Sequence, residues 1–474
     1  MTDNLLFYDL KIIYPVTVVA LGGIFSLVAE TFVGQDGKHK ILPWINITFL
    51  AIAAFILDAI SGSYSDPWNL FAINSVSEVF LYSVLFCAFL GTAGLQNTLK
   101  NKNANYGETY SLLMLSASGI MLMVIAADLM PLFLGMELAS FPIYALIAMN
   151  RRSKESNEGA FKYFISGSLF SAVFLYGMAM FYGSTGSTSI SGDVLEGRET
   201  VYQAAIFMLS LGLLFKVGAF PLHFWVADAY TGALAAVTGY MAAVVKIGAF
   251  LALGTIWLGL FDSTASVVIA REAFLFLGLG FASVIVGAIT GLAQTSARRI
   301  LAFSAVVNAG FILLGFCSPY FANADVLDLS GAFYFLLAYA IASMGALIGI
   351  SSLVTNYDDL EDLRGSAKRN PFMGICVSVC LASLAGLPLA AGFLAKFRVF
   401  AGLVNASFES PPVWGIAIAA FILAVTSAAY YIRLMYFMWS KAKHRERTQT
   451  LALLDVSVGM AAFALIALAA WMPM

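Results

Sequence analysis

Charge is scarce in this chain. Only 11% of its 474 residues are charged and 61% are hydrophobic, whereas a soluble globular domain carries about 25% charged and about 45–50% apolar residues. That deficit excludes a soluble globule and leaves a polytopic membrane protein. Cysteine is nearly missing as well: Cys87, Cys317, Cys376 and Cys380 all fall inside apolar runs, and no disulfide framework is visible. Cys376 and Cys380 stand at i,i+4 and could share a helix face, but apolar burial accounts for them and a metal site needs more ligands. Histidine occurs three times, as His39 and His444 in loops and His223 beside a proline. No pair of helix-borne histidines exists for bis-His haem ligation, and no clustered cysteines exist for an iron–sulfur centre. Phosphate-cradling glycine loops and nucleophile motifs in suitable context are lacking too. The chain alone is therefore not a redox enzyme, no cofactor is expected on it, and its partner by composition is the lipid bilayer, not nucleic acid. The first residues, MTDNLLFYDLKIIYP, have neither the basic start nor the small-residue cleavage site of a signal peptide, so the first span is expected to be retained.

What is present is a series of apolar runs. Measured against the roughly 20 residues that a span needs, they predict an all-α polytopic fold of about 14 transmembrane helices. The series begins with Lys11–Phe32 and ends with Leu451–Trp471. Its sixth to ninth members are Ala160–Tyr182, Val201–Phe224, Ala233–Leu258 and Ala273–Leu292, and its twelfth is Phe372–Ala401. Basic residues gather after the odd-numbered spans: Lys38 and Lys40, Lys100 and Lys102, Arg151, Arg152 and Lys154, Arg298 and Arg299, Arg364, Lys368 and Arg369, then Lys441, Lys443, Arg445 and Arg447. The even loops add Arg198 and Arg271 and otherwise carry acids such as Asp66, Asp193, Glu196, Asp325, Asp328 and Glu409. By the positive-inside rule the odd loops face the cytoplasm and both termini face the other side.

Two prolines interrupt this pattern. Pro221 breaks the seventh span within GAFPL and Pro388 breaks the twelfth within AGLPL. The two segments lie five spans apart, and an odd offset implies that the halves enter the membrane upside down relative to each other; two proline kinks without common ancestry would look similar. On the repeat reading, residues 1–108 hold the N-terminal helices, 109–258 a first repeat, 259–440 a second, and 441–474 the last helix.

Ionisable groups at membrane depth are the candidate functional residues, because a charged side chain at the centre of a span costs roughly 3 kcal/mol on insertion scales unless something meets it. Lys216 and Lys246 sit deep in the seventh and eighth spans, and Lys396 lies near the middle of the twelfth. Glu137, in LFLGMELASFPIYAL, is the only acid in the apolar run of the fifth. A carboxylate partner stabilises an ammonium group, and its loss in a desolvated site favours proton release. A chargeable Glu137 could thus switch Lys216, or the two could form a static pair that fixes helix packing. His223 could relay a proton or simply bond freed backbone. Lys162, at the start of the sixth span, is either a solvated anchor or a point of proton entry. Arg398 and Arg433 could snorkel or pair with acids.

The motifs GMELASFPIYAL, ESNEGAFKYFISGSLFSAVFLYGMAMFYGSTGS, FKVGAFPLHFWVADAYTGA, VVKIGAF, TSARRILAFSAVVNAGF, DLRGSAKRNP, SLAGLPLAAGFLAKFRVF and AAYYIRLMYF occur in that order between about Met114 and Trp439. Together they resemble the proton-translocating antiporter-like subunits of respiratory NADH:quinone oxidoreductase (complex I). The KYF segment with its following YG and GS run, and DLRGSAKRNP, favour the subunit N branch over its larger relatives. The resemblance implies that Glu137 is the glutamate of the fifth helix, Lys216 the lysine of the broken seventh, Lys246 the connecting lysine of the eighth, and Lys396 the lysine of the broken twelfth. It further implies neighbouring antiporter-like and small membrane subunits as partners, with NADH, FMN, iron–sulfur clusters and quinone held in other subunits, and residence in a bacterial inner membrane. Departures from the family pattern are Ala227 and Leu234 in place of prolines, Leu389 in place of a second proline, and Asn308 where many relatives carry histidine.

Overall fold

The structure is a computed structural model and describes residues 11–34, 37–60, 62, 64–66, 68–101, 106–151, 153–190, 192–261, 266–322, 327–354, 359–409, 412–441 and 452–470. The helices are α1 (Tyr14–Phe32), α2 (Lys38–Ala59), α3 (Ser75–Asn101), α4 (Glu108–Ile125), α5 (Leu129–Ile147), α6 (Lys154–Thr185), α7 (Glu199–Val217), α8 (Val226–Gly232) and α9 (Ala235–Tyr240). They continue with α10 (Lys246–Phe261), α11 (Ser266–Ala293), α12 (Ala297–Phe321), α13 (Ser330–Leu353), α14 (Ser366–Arg369), α15 (Pro371–Ala385), α16 (Ala391–Glu409), α17 (Pro412–Trp439) and α18 (Ala452–Ala470). A short antiparallel pair, Tyr64–Ser65 with Ala72–Ile73, ties the connection between α2 and α3.

Among the described residues thirteen helical stretches are long and apolar enough to cross a membrane, with α9 and α10 joined through a π turn at Met241–Val245 into one of them. The interrupted pair α15 and α16 takes the remaining place in the expected series of fourteen. α10, α12 and α13 are almost wholly enclosed, whereas α1, α2, α17 and α18 have well under half of their residues buried. Phe25, Phe55, Phe421, Val425 and Phe463 are among the large exposed hydrophobics. An apolar surface on that scale suits a chain whose solvent is lipid.

Local chemistry sets several helix ends. Asp128 accepts a hydrogen bond from the Met130 amide at 2.8 Å and starts α5, and Ser153 accepts from the Ser156 amide at 3.2 Å and starts α6. Pro371 opens α15 behind Asn370, whose side chain caps the Met373 amide at 3.4 Å.

Two features recur in both halves. First, the leading helix pair of each half crosses at a glycine contact. A Cβ on Gly119 would lie 2.4 Å from the Ala139 amide nitrogen and one on Gly135 2.8 Å from the Gly119 carbonyl, which holds α4 against α5. In the second half a Cβ on Gly310 would lie 2.5 Å from the Gly280 carbonyl, which holds α11 against α12. Second, α7 and α15 end alike. Gly218 (φ 69°, ψ 39°) and Gly386 (φ 75°, ψ 41°) are left-handed, and the amides of Ala219 and Leu387 reach back to the carbonyls of Leu214 and Ala382 at 3.2 and 3.0 Å. Both are Schellman terminations. The breaks therefore precede the prolines: glycine ends each helix, and Pro221 and Pro388 follow where the chain has already turned.

Three differences from the expected spans bear on charged residues. α6 begins at Lys154, so Lys162 is in its third turn and not at the start of a span. Lys396 is in the second turn of α16, because the twelfth span is two helices and has no shared middle. α11 begins at Ser266, seven residues before the expected Ala273, which draws Arg271 and Glu272 into the helix. Adjacent charges lower the hydropathy there, while their side-chain partners allow the helix to continue outward.

Candidate functional site

Lys216 is the penultimate residue of α7, immediately before the break, and is 3% exposed. Its ammonium donates to the Ser140 hydroxyl at 2.7 Å and to the Tyr144 hydroxyl at 3.4 Å, both on α5, and lies 5.7 Å from the centres of the Tyr144 and Tyr163 rings. Tyr163 in turn stacks on Trp225 at 4.2 Å, just beyond the break. Aromatic faces and hydroxyls supply partial negative charge here without a full counter-charge.

Glu137 lies one turn before Ser140 on the same helix. One of its carboxylate oxygens is buried with no hydrogen-bond partner, and it forms no ion pair with Lys216 within 4.0 Å. The expected direct pair is thus open in this structure, with Ser140 and Tyr144 occupying the position of the carboxylate. A buried unsatisfied oxygen costs about 1–3 kcal/mol, more when charged, so a Glu137 oxygen without a partner, one turn from the serine that meets the Lys216 ammonium, is an arrangement that closure of the pair would relieve.

Lys246 follows the π turn directly, 2% exposed. Such bulges tend to occur at functional points, because they re-aim a side chain and leave backbone groups irregularly paired. The Lys246 ammonium donates to the Ala305 carbonyl on α12 and sits 5.2 Å from the Tyr339 ring centre on α13.

Lys396 reaches back across the second break and donates to the Leu384 and Ala385 carbonyls at 3.0 and 2.9 Å. These are the last carbonyls of α15, the negative end of its dipole, so the ammonium caps a helix terminus inside the membrane. The two lysines near the breaks therefore lie on opposite sides of them: Lys216 before the first, Lys396 after the second.

A cavity of about 10 Å³, bounded by Asn308, Tyr339, Ser383 and Lys396, has room for on the order of one water molecule. The buried Tyr339 hydroxyl has no protein partner, and Asn308 donates to the Tyr431 hydroxyl at 3.1 Å and to the Ser304 carbonyl at 2.8 Å. Tyr339 thus stands between Lys246 and Lys396, touching one through its ring and sharing a cavity with the other. On its outer flank Lys396 also borders an apolar groove of about 790 Å³ between α16 and α17. Lys216 and Lys246 share no hydrogen-bond partner among the described residues.

The remaining expected residues are more peripheral. Lys162 is held between Glu158 at 2.5 Å and Asp228 at 2.7 Å, which clamps α8 onto α6 where a Cβ on Gly159 would be 2.6 Å from the Asp228 carbonyl. His223 is half-buried in the turn after the break, its ring 5.6 Å from that of Phe220, and hydrogen-bonds to none of the three lysines. Arg433 donates to the Leu292 and Gln294 carbonyls at 3.2 and 2.5 Å and so caps α11, while Arg398 lies 4.6 Å from the Tyr334 ring centre. Among the described residues no three His, Cys, Asp or Glu side chains converge as a metal site.

Glu272 was not anticipated from the sequence. It is 4% exposed and accepts a hydrogen bond from Ser210 of α7 at 2.8 Å. The available signal was an acid flanking an apolar run, masked by the misplaced start of the ninth span.

Residues 126–427 match the family model described as NADH:quinone oxidoreductase/Mrp antiporter, TM. A protein of Trichlorobacter lovleyi named NADH-quinone oxidoreductase subunit N is 31% identical over 451 residues, with 92% of this chain and 89% of that protein covered. Among solved structures, respiratory complex I from Thermus thermophilus with bound aureothin contains a chain that superposes with a TM-score of 0.79 at 28% identity, covering 96% of both chains. A chain of the Mrp complex from a Dietzia species has the same fold, with a TM-score of 0.79 at 18% identity, covering 99% of this chain and 95% of that one. With the two-break helical architecture and its buried lysines, these matches establish that the chain belongs to the NADH:quinone oxidoreductase/Mrp antiporter transmembrane family and groups there with the proteins named NADH-quinone oxidoreductase subunit N.

Proposed function

We propose that this chain is a proton-translocating membrane-arm subunit of an NADH:quinone oxidoreductase of a bacterial inner membrane, with both termini on the non-cytoplasmic side. Its neighbours in that assembly are other antiporter-like and small membrane subunits, and the flavin, iron–sulfur and quinone chemistry belongs to partner subunits. The observation that carries the reading is the placement of three ammonium groups, Lys216, Lys246 and Lys396, inside the helical bundle, each 7% exposed or less and each at a break or distortion of a helix. Buried amines at irregular backbone can hold a proton or release it as their surroundings change, which a regularly packed structural lysine cannot do as readily.

On this reading a charge change arriving from the adjoining subunit moves Glu137 toward or away from Lys216. A near carboxylate stabilises the ammonium form; withdrawal favours release. The proton then passes through Lys246, by way of the Tyr339 and Asn308 cavity, toward Lys396. Asn308 cannot titrate, so it holds a water in line and leaves proton carriage to the lysines. Lys162 and His223, both on the cytoplasmic side of the first break, serve as auxiliary relays for entry. The repeats at 109–258 and 259–440 supply one broken helix each.

Lys216→Ala and Glu137→Ala should each depress proton pumping in the reconstituted complex while assembly survives; normal pumping with either variant contradicts the mechanism. A second reading, a subunit of a multisubunit cation/proton antiporter, is favoured by the shared fold with the Mrp chain. Co-purification with flavin- and iron–sulfur-bearing partners separates the two.

A further inference from the structure

α16 leaves the second break with a space on either side of it. On one side is the apolar groove of about 790 Å³ that Lys396 borders, walled by Gly386, Phe393, Phe421, Val425 and Ile432 among others. On the other is a cavity of about 390 Å³ between α16, the end of α12 and the start of α13, which carries the polar side chains of Arg398, Asn405, Asp328, Ser318 and Ser330. Phe397, Ala401 and Asn405 line both spaces. They stand at i, i+4 and i+8, a single row along α16, and so form the crest between the two. Ala401, with only a methyl group between two larger neighbours, is the low point of that crest.

The dimensions of the groove decide what fits it. It begins at the break, with Gly386 and Leu387, and stops at Val404 and Asn405. Along α17 it runs from Phe421 to Ile432, about 16 Å at 1.5 Å per residue. The hydrocarbon core of a bilayer is about 30 Å thick, so the groove has the depth of one leaflet. A helix from a neighbouring subunit would cross both leaflets, whereas an acyl tail ends where the leaflets meet. The walls suit a tail: Phe397, Phe421, Val425 and Ile432 are exposed apolar side chains, and the Phe400 and Phe421 rings meet edge-on at 5.5 Å between the two helices.

The polar cavity at the far end of the groove carries charge of both signs. The Arg398 guanidinium lies 4.6 Å from the centre of the Tyr334 ring, which steadies it against α13. Asp328 accepts from the Ser330 amide at 2.8 Å, which fixes a carboxylate on the same cavity. A guanidinium complements a phosphate and a carboxylate complements an ammonium group, so together they match a headgroup that carries both. A phosphate headgroup without an amine meets Asp328 as a like charge.

We infer that α16 binds an amino-phospholipid of the phosphatidylethanolamine class, with its phosphate at Arg398, its amine at Asp328, and one acyl tail passing over Ala401 into the groove beside Lys396. The tail covers the flank of Lys396 that the protein itself leaves open. This rests on the membrane placement of the helices and not on proton transfer, so it can fail while the pumping reading stands.

The test uses phosphatidylethanolamine with a diazirine in one acyl tail, incorporated into proteoliposomes of the whole complex, which is then washed in mild detergent to remove loosely held lipid and illuminated. Mass spectrometry should find the label on α17 peptides that contain Phe421 to Ile432, and Ala401→Trp, which fills the low point of the crest, and Arg398→Gln should each reduce it severalfold. A phosphatidylglycerol probe of the same tail should label the wild-type groove severalfold less, and Asp328→Asn should narrow that difference. Absence of label from the wild-type groove, or label that neither A401W nor R398Q reduces, overturns the inference. Should those variants fail to assemble, the wild-type comparison decides: equal labelling by the two headgroups overturns it. A photoreactive benzoylphenylalanine at Val425 that cross-links to a neighbouring subunit in place of lipid also overturns it, because a protein helix then fills the groove.

Discussion

At the scale of the residue, each buried ammonium is satisfied by a different neutral acceptor: hydroxyls for Lys216, one carbonyl for Lys246, a helix terminus for Lys396. None has its full complement of charge beside it, and an ammonium held by neutral groups is more easily emptied than one locked to a carboxylate. Ser140→Ala removes the shortest of the Lys216 contacts and should destabilise the chain by about 1–3 kcal/mol, read as a lowered thermal midpoint of the purified complex; an unchanged midpoint would show that Tyr144 or water suffices. The lysines were legible in the sequence because a charge inside an apolar run is conspicuous. Ser140 and Tyr144 were not, since mid-helix hydroxyls commonly bond their own backbone, and only the folded arrangement turns two of them toward Lys216. The open Glu137–Lys216 pair is likewise a property of the fold, because sequence places both residues at depth without setting the separation between their helices.

At the scale of the element, the broken helices were anticipated from Pro221 and Pro388, but the turn is made earlier by glycine. A non-glycine residue in the left-handed region costs roughly 1–2 kcal/mol, and at Gly386 the steric conflict falls on a proposed carrier: an added Cβ would lie 2.8 Å from Lys396 Cδ. At Gly218 the conflict is with Val226 Cγ2 at 2.7 Å. Gly386→Ala should therefore lower pumping severalfold with assembly retained, because Lys396 is pushed off its carbonyls. Gly392→Ala should be worse, since its Cβ would fall 1.8 Å from the Ser383 carbonyl and α16 could not seat on α15; native gels should show little assembled complex. Full assembly with G392A would show that the two halves of the twelfth span are less tightly docked than described. Periodicity gives no warning of such contacts, and for the same reason the start of α11 was misplaced: the hydropathy of a charged turn falls whether or not its charges have found partners.

At the scale of the whole molecule, the apolar runs predicted the number of spans, and thirteen continuous spans with one interrupted pair among the described residues agree with it. The proposed sidedness rests on the alternation of basic and acidic loops and is directly measurable, because the four native cysteines are buried and give little background. A membrane-impermeant maleimide should label Arg151→Cys from the cytoplasmic face only and Glu196→Cys from the opposite face only; the reverse would invert every transfer direction argued above. The glycine crossings α4–α5 and α11–α12 and the matched helix breaks give the repeat a geometric basis that two short sequence echoes could only suggest. Everything functional depends on the three interior amines acting as carriers and not as interhelical glue. The most direct measurement is the number of protons moved per electron by the reconstituted complex when Lys216, Lys246 and Lys396 are together replaced by alanine. A clear fall in that ratio with the assembly intact is the result the account predicts, and an unchanged wild-type ratio would reduce the chain to a scaffold.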